Sequence, residues 1–169
     1  MAVNWTEITT ATMVLFAVID IIGSVPLILE IKKKAGKVDP GKATLVAMGI
    51  MFAFLFLGER LITFIGIDVN SFAVAGSFVL FALAMEMILG IHLFKDDDTP
   101  ANVASIVPLA FPIIAGAGSM TSILSLRAEY EATSIAVAIA INMAIVYATL
   151  RLTGKIERLL GDAGIAILR

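Results

Sequence analysis

The stretch Phe16-Ala-Val-Ile-Asp-Ile-Ile-Gly-Ser-Val-Pro-Leu-Ile-Leu29 decides how this chain is read. It lies inside an apolar run from about Ile8 to Ile31, long enough to cross a bilayer. Yet it holds a carboxylate, a Gly-Ser pair and a proline, poor choices for a helix that only spans lipid. It also has an echo 95 residues on, in Phe111-Pro-Ile-Ile-Ala-Gly-Ala-Gly-Ser-Met-Thr-Ser-Ile-Leu124. Phe16/Phe111, Ile19/Ile114, Gly23/Gly118, Ser24/Ser119, Ile28/Ile123 and Leu29/Leu124 are identical. Glycine-interrupted hydrophobic segments at matching places in two halves of a membrane protein point to a transport site.

The register persists outward. Ala43/Ala138, Met48/Met143, Ile50/Ile145, Ala53/Ala148, Leu55/Leu150, Leu57/Leu152 and Gly66/Gly161 match at the same offset without a gap. Shared membrane composition produces some such identities by chance. The constant register and the Gly-Ser coincidence favour duplication.

Composition sets the class. Of 169 residues 60% are hydrophobic and only 15% charged, with a mean hydropathy of +1.02. Soluble domains carry about 25% charge. The long runs do not alternate as barrel strands would, so the chain reads as an all-α integral membrane protein. The net charge of -2 and the lack of a basic, aromatic-interleaved patch give no sign of nucleic acid. Without cysteine there is no disulfide, thiolate metal site or thiol catalysis. The first run has no basic region before it and is too long for a cleaved signal peptide.

Five spans follow in order: about 8–31, 41–62, 71–94, 104–125 and 132–150. A sixth apolar run begins near Ala163. This gives a six-span bundle of two three-helix repeats, with discontinuous first and fourth helices and a truncated sixth. Repeat one covers 1–94, a linker 95–103, and repeat two 104–169. Three spans per half makes the repeats inverted. The partner of 72–94 is expected at about 167–189, beyond Arg169. An outside N-terminus puts Lys32, Lys33, Lys34, Lys37, Lys42, Lys95, Arg151, Lys155 and Arg158 in the cytoplasm and only Arg60 and Arg127 outside. That is the positive-inside arrangement, and it makes the 95–103 linker cytoplasmic.

Asp20, near the middle of the first span, is the strongest single candidate. A charge at the bilayer centre costs about 2.5–3.5 kcal/mol on insertion scales and usually serves function. It could pair with a substrate ammonium or carry a proton; alternatively it caps a broken helix and binds nothing. Gly23 and Pro26 break the helix, and the second piece is expected to start near Ser24 with free N–H groups. Gly116, Gly118 and Ser119 offer the same device in the fourth span, or simply close helix packing. Two helix N-termini would suit an amino-acid carboxylate. Thr121, Ser122 and Asn142 are further candidate contacts, or merely bonded to neighbouring helices. Glu86 is a candidate proton relay, or merely reaches a water-filled vestibule. His92 stands alone near the membrane surface, so no metal site is expected.

The motifs Asp20-Ile-Ile-Gly-Ser-Val-Pro26, Gly58-Glu-Arg-Leu-Ile-Thr-Phe-Ile-Gly66, Phe72-Ala-Val-Ala-Gly76 and Pro108-Leu-Ala-Phe-Pro-Ile-Ile-Ala-Gly-Ala-Gly118 resemble the MarC family. Its members are six-span membrane proteins, among them SnatA-type neutral amino-acid transporters. The resemblance implies import of small neutral amino acids such as glycine and alanine, coupled to an ion gradient. Three positions depart from the family pattern: Ile21 and Ala117 stand where prolines are usual, and Ser24 where asparagine is.

No Gly-x-x-x-x-Gly-Lys-Ser/Thr, His-Glu-x-x-His or Gly-x-Ser-x-Gly motif is present, and the spans hold one Asp, not the pair an intramembrane aspartyl protease needs. An enzyme is therefore not expected, and no cofactor is implied. The reading is a secondary transporter of small neutral amino acids in the cell membrane. Proton coupling is preferred over sodium because Asp20 and Glu86 titrate. A channel without gradient coupling is the alternative.

Overall fold

The structure, a computed structural model, describes residues 4–35, 38–66, 71, 74, 78, 81, 85, 106 and 109–167. Glu86, His92 and the 95–103 linker lie outside the described residues. The described helices are α1 (Trp5–Ile19), α2 (Val25–Ala35), α3 (Pro40–Phe64), α4 (Ala117–Glu129) and α5 (Ala132–Ile167), with a kinked segment (Leu109–Ile114) before α4 that is non-helical at Phe111.

Local chemistry fixes the helix starts. The Asn4 side chain accepts from the Glu7 N–H at 3.4 Å and donates to the Glu7 carboxylate at 2.9 Å, opening α1. Asp39 accepts from the N–H groups of Gly41 and Lys42, and Pro40 takes the first position of α3, where its missing N–H costs nothing. Only Tyr130 and Glu131 separate α4 from α5. Glu7 accepts from the Glu131 N–H at 3.3 Å, so the start of α1 and the α4–α5 turn share one end of the bundle.

α5 packs on α1 and α3, and α4 on the same two helices. One buried cluster runs through Leu15, Ile19, Met51, Ile114, Ile123 and Ile139. Burial also recurs at the offset of 95: Ile19 and Ile114, Ile28 and Ile123, Ala43 and Ala138, and Leu55 and Leu150 are all buried. Outward faces remain apolar. Only 28% of the Pro40–Gly58 span and 39% of Ala132–Lys155 are buried; the core helix of a soluble protein would be mostly covered. Exposed Met13, Leu45, Phe56 and Val137 give the bundle a surface suited to lipid.

α5 departs from the sequence reading. It continues without interruption to Ile167, through the charged 151–158 stretch and past Ala163, where a separate run was expected to begin. No proline follows Pro112, and Arg, Lys, Glu and Leu favour helix strongly enough to carry it past Gly154, Gly161 and Gly164. Charge marks where a span leaves the membrane, not where a helix stops.

Candidate functional site

Two interruptions break the helical runs. At the first, α1 ends at Asp20, whose backbone adopts the left-handed conformation (φ 41°, ψ 51°) and whose N–H donates to the Phe16 carbonyl at 3.1 Å. Asp is one of the few residues that enters this region readily. Its carboxylate Oδ1 turns forward to accept the Gly23 N–H at 3.2 Å. The Ser24 N–H donates to the Asp20 carbonyl at 3.0 Å and the Val25 N–H to that of Ile22 at 3.1 Å. Pro26 follows, with no N–H to satisfy. The carboxylate lies flat on Gly23, where an added Cβ would run into both carboxylate oxygens and stand 2.8 Å from Cγ.

This corrects one expectation. The start of α2 was read as a set of free donors, but the N–H groups of Gly23, Ser24 and Val25 are all occupied. A bend that returns the chain to helix within four residues uses the donors it would otherwise expose. What faces outward is Asp20 itself, whose side chain is exposed, with Ser24 half-buried beside it.

The second interruption is built differently. Phe111 is extended (φ -137°, ψ 127°), and the Phe111–Pro112 peptide is cis. Wide turns flank it: the Phe111 N–H reaches the Ile106 carbonyl and the Ala115 N–H that of Ala110, each at 2.9 Å. Gly116 is the extended N-cap of α4, and no side chain caps that helix. The first turn of a helix has N–H groups with no partner within the helix. Gly116 is required here because a Cβ would run into the Pro112 carbonyl oxygen.

The remaining predicted residues sort by what their polar atoms do. Ser119 is buried, and its hydroxyl lies against two backbone carbonyls, Ile114 at 3.2 Å and Gly116 at 3.0 Å. It ties the second interruption together. The Asn142 amide donates to the Thr12 carbonyl of α1 at 3.1 Å and to its own helix at Ala138 at 2.9 Å. That is the helix-to-helix bonding weighed against ligand contact from the sequence. Gly118 and Ser122 are half-buried in the first turns of α4.

Thr121 is different. Its Oγ1 is buried and makes no hydrogen bond, as are those of Thr12 and Thr44. Thr9 and Thr153 show the usual solution, bonding the carbonyl four residues back at 2.6 Å and 2.8 Å. A buried hydroxyl without a partner costs about 1–3 kcal/mol, so each such atom calls for an explanation. Of the three, Thr121 alone lies beside an interruption. Thr12 and Thr44 were not singled out by sequence, because nothing in the residue type tells a back-bonded threonine from an orphan. Among the described residues no group of His, Cys, Asp and Glu could hold a metal ion.

Comparison with known proteins matches the chain to one family. The model described as MarC family integral membrane protein matches residues 5–169. The chain is 32% identical over 163 residues to a UPF0056 membrane protein of Pyrococcus abyssi, covering 90% of this chain and 80% of that one. It is 26% identical over 169 residues to the UPF0056 inner membrane protein YhgN of Escherichia coli, covering 96% and 86%. No solved structure matches the chain.

Proposed function

This chain belongs to the MarC family of integral membrane proteins, and from that premise we propose that it is a secondary transporter of small neutral amino acids. The observation that carries the reading is the contrast between the two helix interruptions. One presents a carboxylate whose neighbouring N–H groups are already bonded. The other presents a helix N-terminus that no side chain caps. An amino-acid zwitterion has one charge for each: its ammonium for Asp20, its carboxylate for the first turn of α4. The unbonded Thr121 hydroxyl is a third contact on the α4 side.

Two inverted three-helix repeats, N-terminus outside, would rock about this site and open it alternately to either face. The burial pattern that returns at an offset of 95 supports the duplication. Coupling is assigned to protons, with Asp20 exchanging a proton for the substrate ammonium and Glu86 as the relay.

The test is uptake of labelled glycine and alanine into liposomes containing the full chain, under an imposed proton gradient and then a sodium gradient, with Asp20→Asn alongside. Saturable uptake driven by protons and absent in Asp20→Asn is expected. Uptake driven by sodium alone would remove the proton role, flux that neither saturates nor follows a gradient would make the protein a pore, and no flux from folded protein would end the amino-acid assignment.

A further inference from the structure

Away from both interruptions, a partly open cavity of about 140 Å³ lies where α2, the start of α3 and α5 meet. Among the described residues two cations line it from different helices, Lys32 of α2 and Arg151 of α5. Lys32 reaches across to α5, its ammonium 3.6 Å from where a Cβ on Gly154 would stand. Arg151 is steadied over the Tyr147 ring, 6.0 Å from its centroid, and donates to the Tyr147 hydroxyl at 3.4 Å. Ile28, Pro40 and Leu150 supply apolar wall, and the Thr153 hydroxyl is turned to the Thr149 carbonyl. Among the described residues no carboxylate is in the lining.

The depth of this cavity is set by the spans. The apolar part of α3 begins at Pro40 and that of α5 ends at Lys155, so the cavity sits at one membrane surface. Lys42 and Lys155 lie at the same two ends of the apolar spans. Two unlike cations over apolar wall at a bilayer boundary match a phosphodiester joined to acyl chains. A basic pocket between helices at this level is how anionic headgroups are held, and arginine fits a phosphate in a way lysine alone does not. We propose that the Lys32–Arg151 cavity binds the phosphate of an anionic phospholipid, locking α2 to α5. This rests on the membrane span boundaries and not on the transport reading.

The test uses delipidated full chain in neutral detergent, with phosphatidylglycerol or phosphatidylcholine added and bound lipid counted by native mass spectrometry. Phosphatidylglycerol is expected to bind roughly tenfold to thirtyfold more tightly than phosphatidylcholine and to raise the melting temperature. Lys32→Gln with Arg151→Gln should abolish the preference, while Lys32→Arg keeps it. If the double variant does not fold, each single variant should lose several-fold of the preference. Equal binding of the two lipids, or a double variant that still prefers phosphatidylglycerol, would overturn the proposal. So would inorganic phosphate giving the same rise in melting temperature, which would make this a site for a free anion.

Discussion

At the first interruption the chain supplies its own anion: the Asp20 carboxylate accepts from Gly23, and two further N–H groups go to carbonyls within the bend. At the second, the position 95 residues beyond Asp20 is Ala115, which is fully buried and carries no charge, and the helix cap next to it is a glycine. The two segments share Gly-Ser at matching positions but use it differently. Gly23 makes room for a carboxylate, while Ser119 bonds two carbonyls. Segments that match at this offset but are built differently leave one interruption with a carboxylate and the other with an uncapped helix N-terminus. A symmetric pair of uncapped ends would attract anions twice and offer a zwitterion nothing for its ammonium.

The comparison is tested most sharply at Asp20. Asp20→Asn keeps an oxygen acceptor for Gly23 and a residue that tolerates positive φ, so it should fold and melt near wild type while losing nearly all uptake. Asp20→Ala loses the acceptor and the tolerance as well, and should cost roughly 2 kcal/mol of stability besides. Thermal melts beside uptake assays separate the two roles. Normal transport in Asp20→Asn would leave Asp20 as a structural cap only.

The second interruption is tested next, by changing the ligand. Glycine amide keeps the ammonium and replaces the carboxylate with a neutral group. A charge-assisted hydrogen bond contributes about 1.5–3 kcal/mol, so glycine amide should compete with glycine about tenfold to a hundredfold less well. Equal competition would mean that the α4 terminus does not hold the carboxylate.

A smaller effect distinguishes the two glycines. Gly116→Ala meets a backbone carbonyl, Pro112, which cannot turn aside. Gly23→Ala meets the Asp20 side chain, which can. Both should destabilise by about 1–3 kcal/mol. Only Gly23→Ala should be partly rescued by adding Asp20→Ala, with a coupling of about 0.5–3 kcal/mol in a double-mutant cycle. Additive effects at Gly23 and Asp20 would show that their contact carries no energy.

The sequence made the interruptions legible because Gly, Ser, Pro and Asp are all costly within an apolar span. It did not reveal their asymmetry. The offset maps Val25, the first residue of α2, onto Met120, yet α4 starts three residues earlier at Ala117 (120 − 117 = 3). Pro112 lacks an N–H and Phe111 is extended, and Gly116 nests on the Pro112 carbonyl. Nor could spacing say where a polar side chain turns. Asn142 read as a ligand contact or a bond to a neighbouring helix, and Ser119 as part of a helix break or of close packing; both side chains bond backbone. The unbroken α5 was hidden by its charges, which read as a loop although Arg, Lys, Glu and Leu there favour helix and outweigh Gly154, Gly161 and Gly164.

Thr121 offers the finest test, because its sign differs from that of an ordinary core threonine. Replacing a buried, unbonded hydroxyl by a methyl of the same shape removes a desolvation cost, so it is neutral or stabilising. Thr12→Val, Thr44→Val and Thr121→Val should therefore all melt at or slightly above wild type. Thr121→Val alone should also raise the half-saturation concentration for glycine, by roughly fivefold to tenfold if one neutral hydrogen bond of about 1 kcal/mol is lost. Thr12 and Thr44, away from both interruptions, should leave it unchanged. A Thr121→Val that gains stability and transports as wild type would place its hydroxyl outside the site and leave the α4 backbone as the sole partner of the substrate on that side. A Thr121→Val that loses stability would mean that the hydroxyl already has a partner in the membrane, such as a buried water, and the contrast with Thr9 and Thr153 would then vanish.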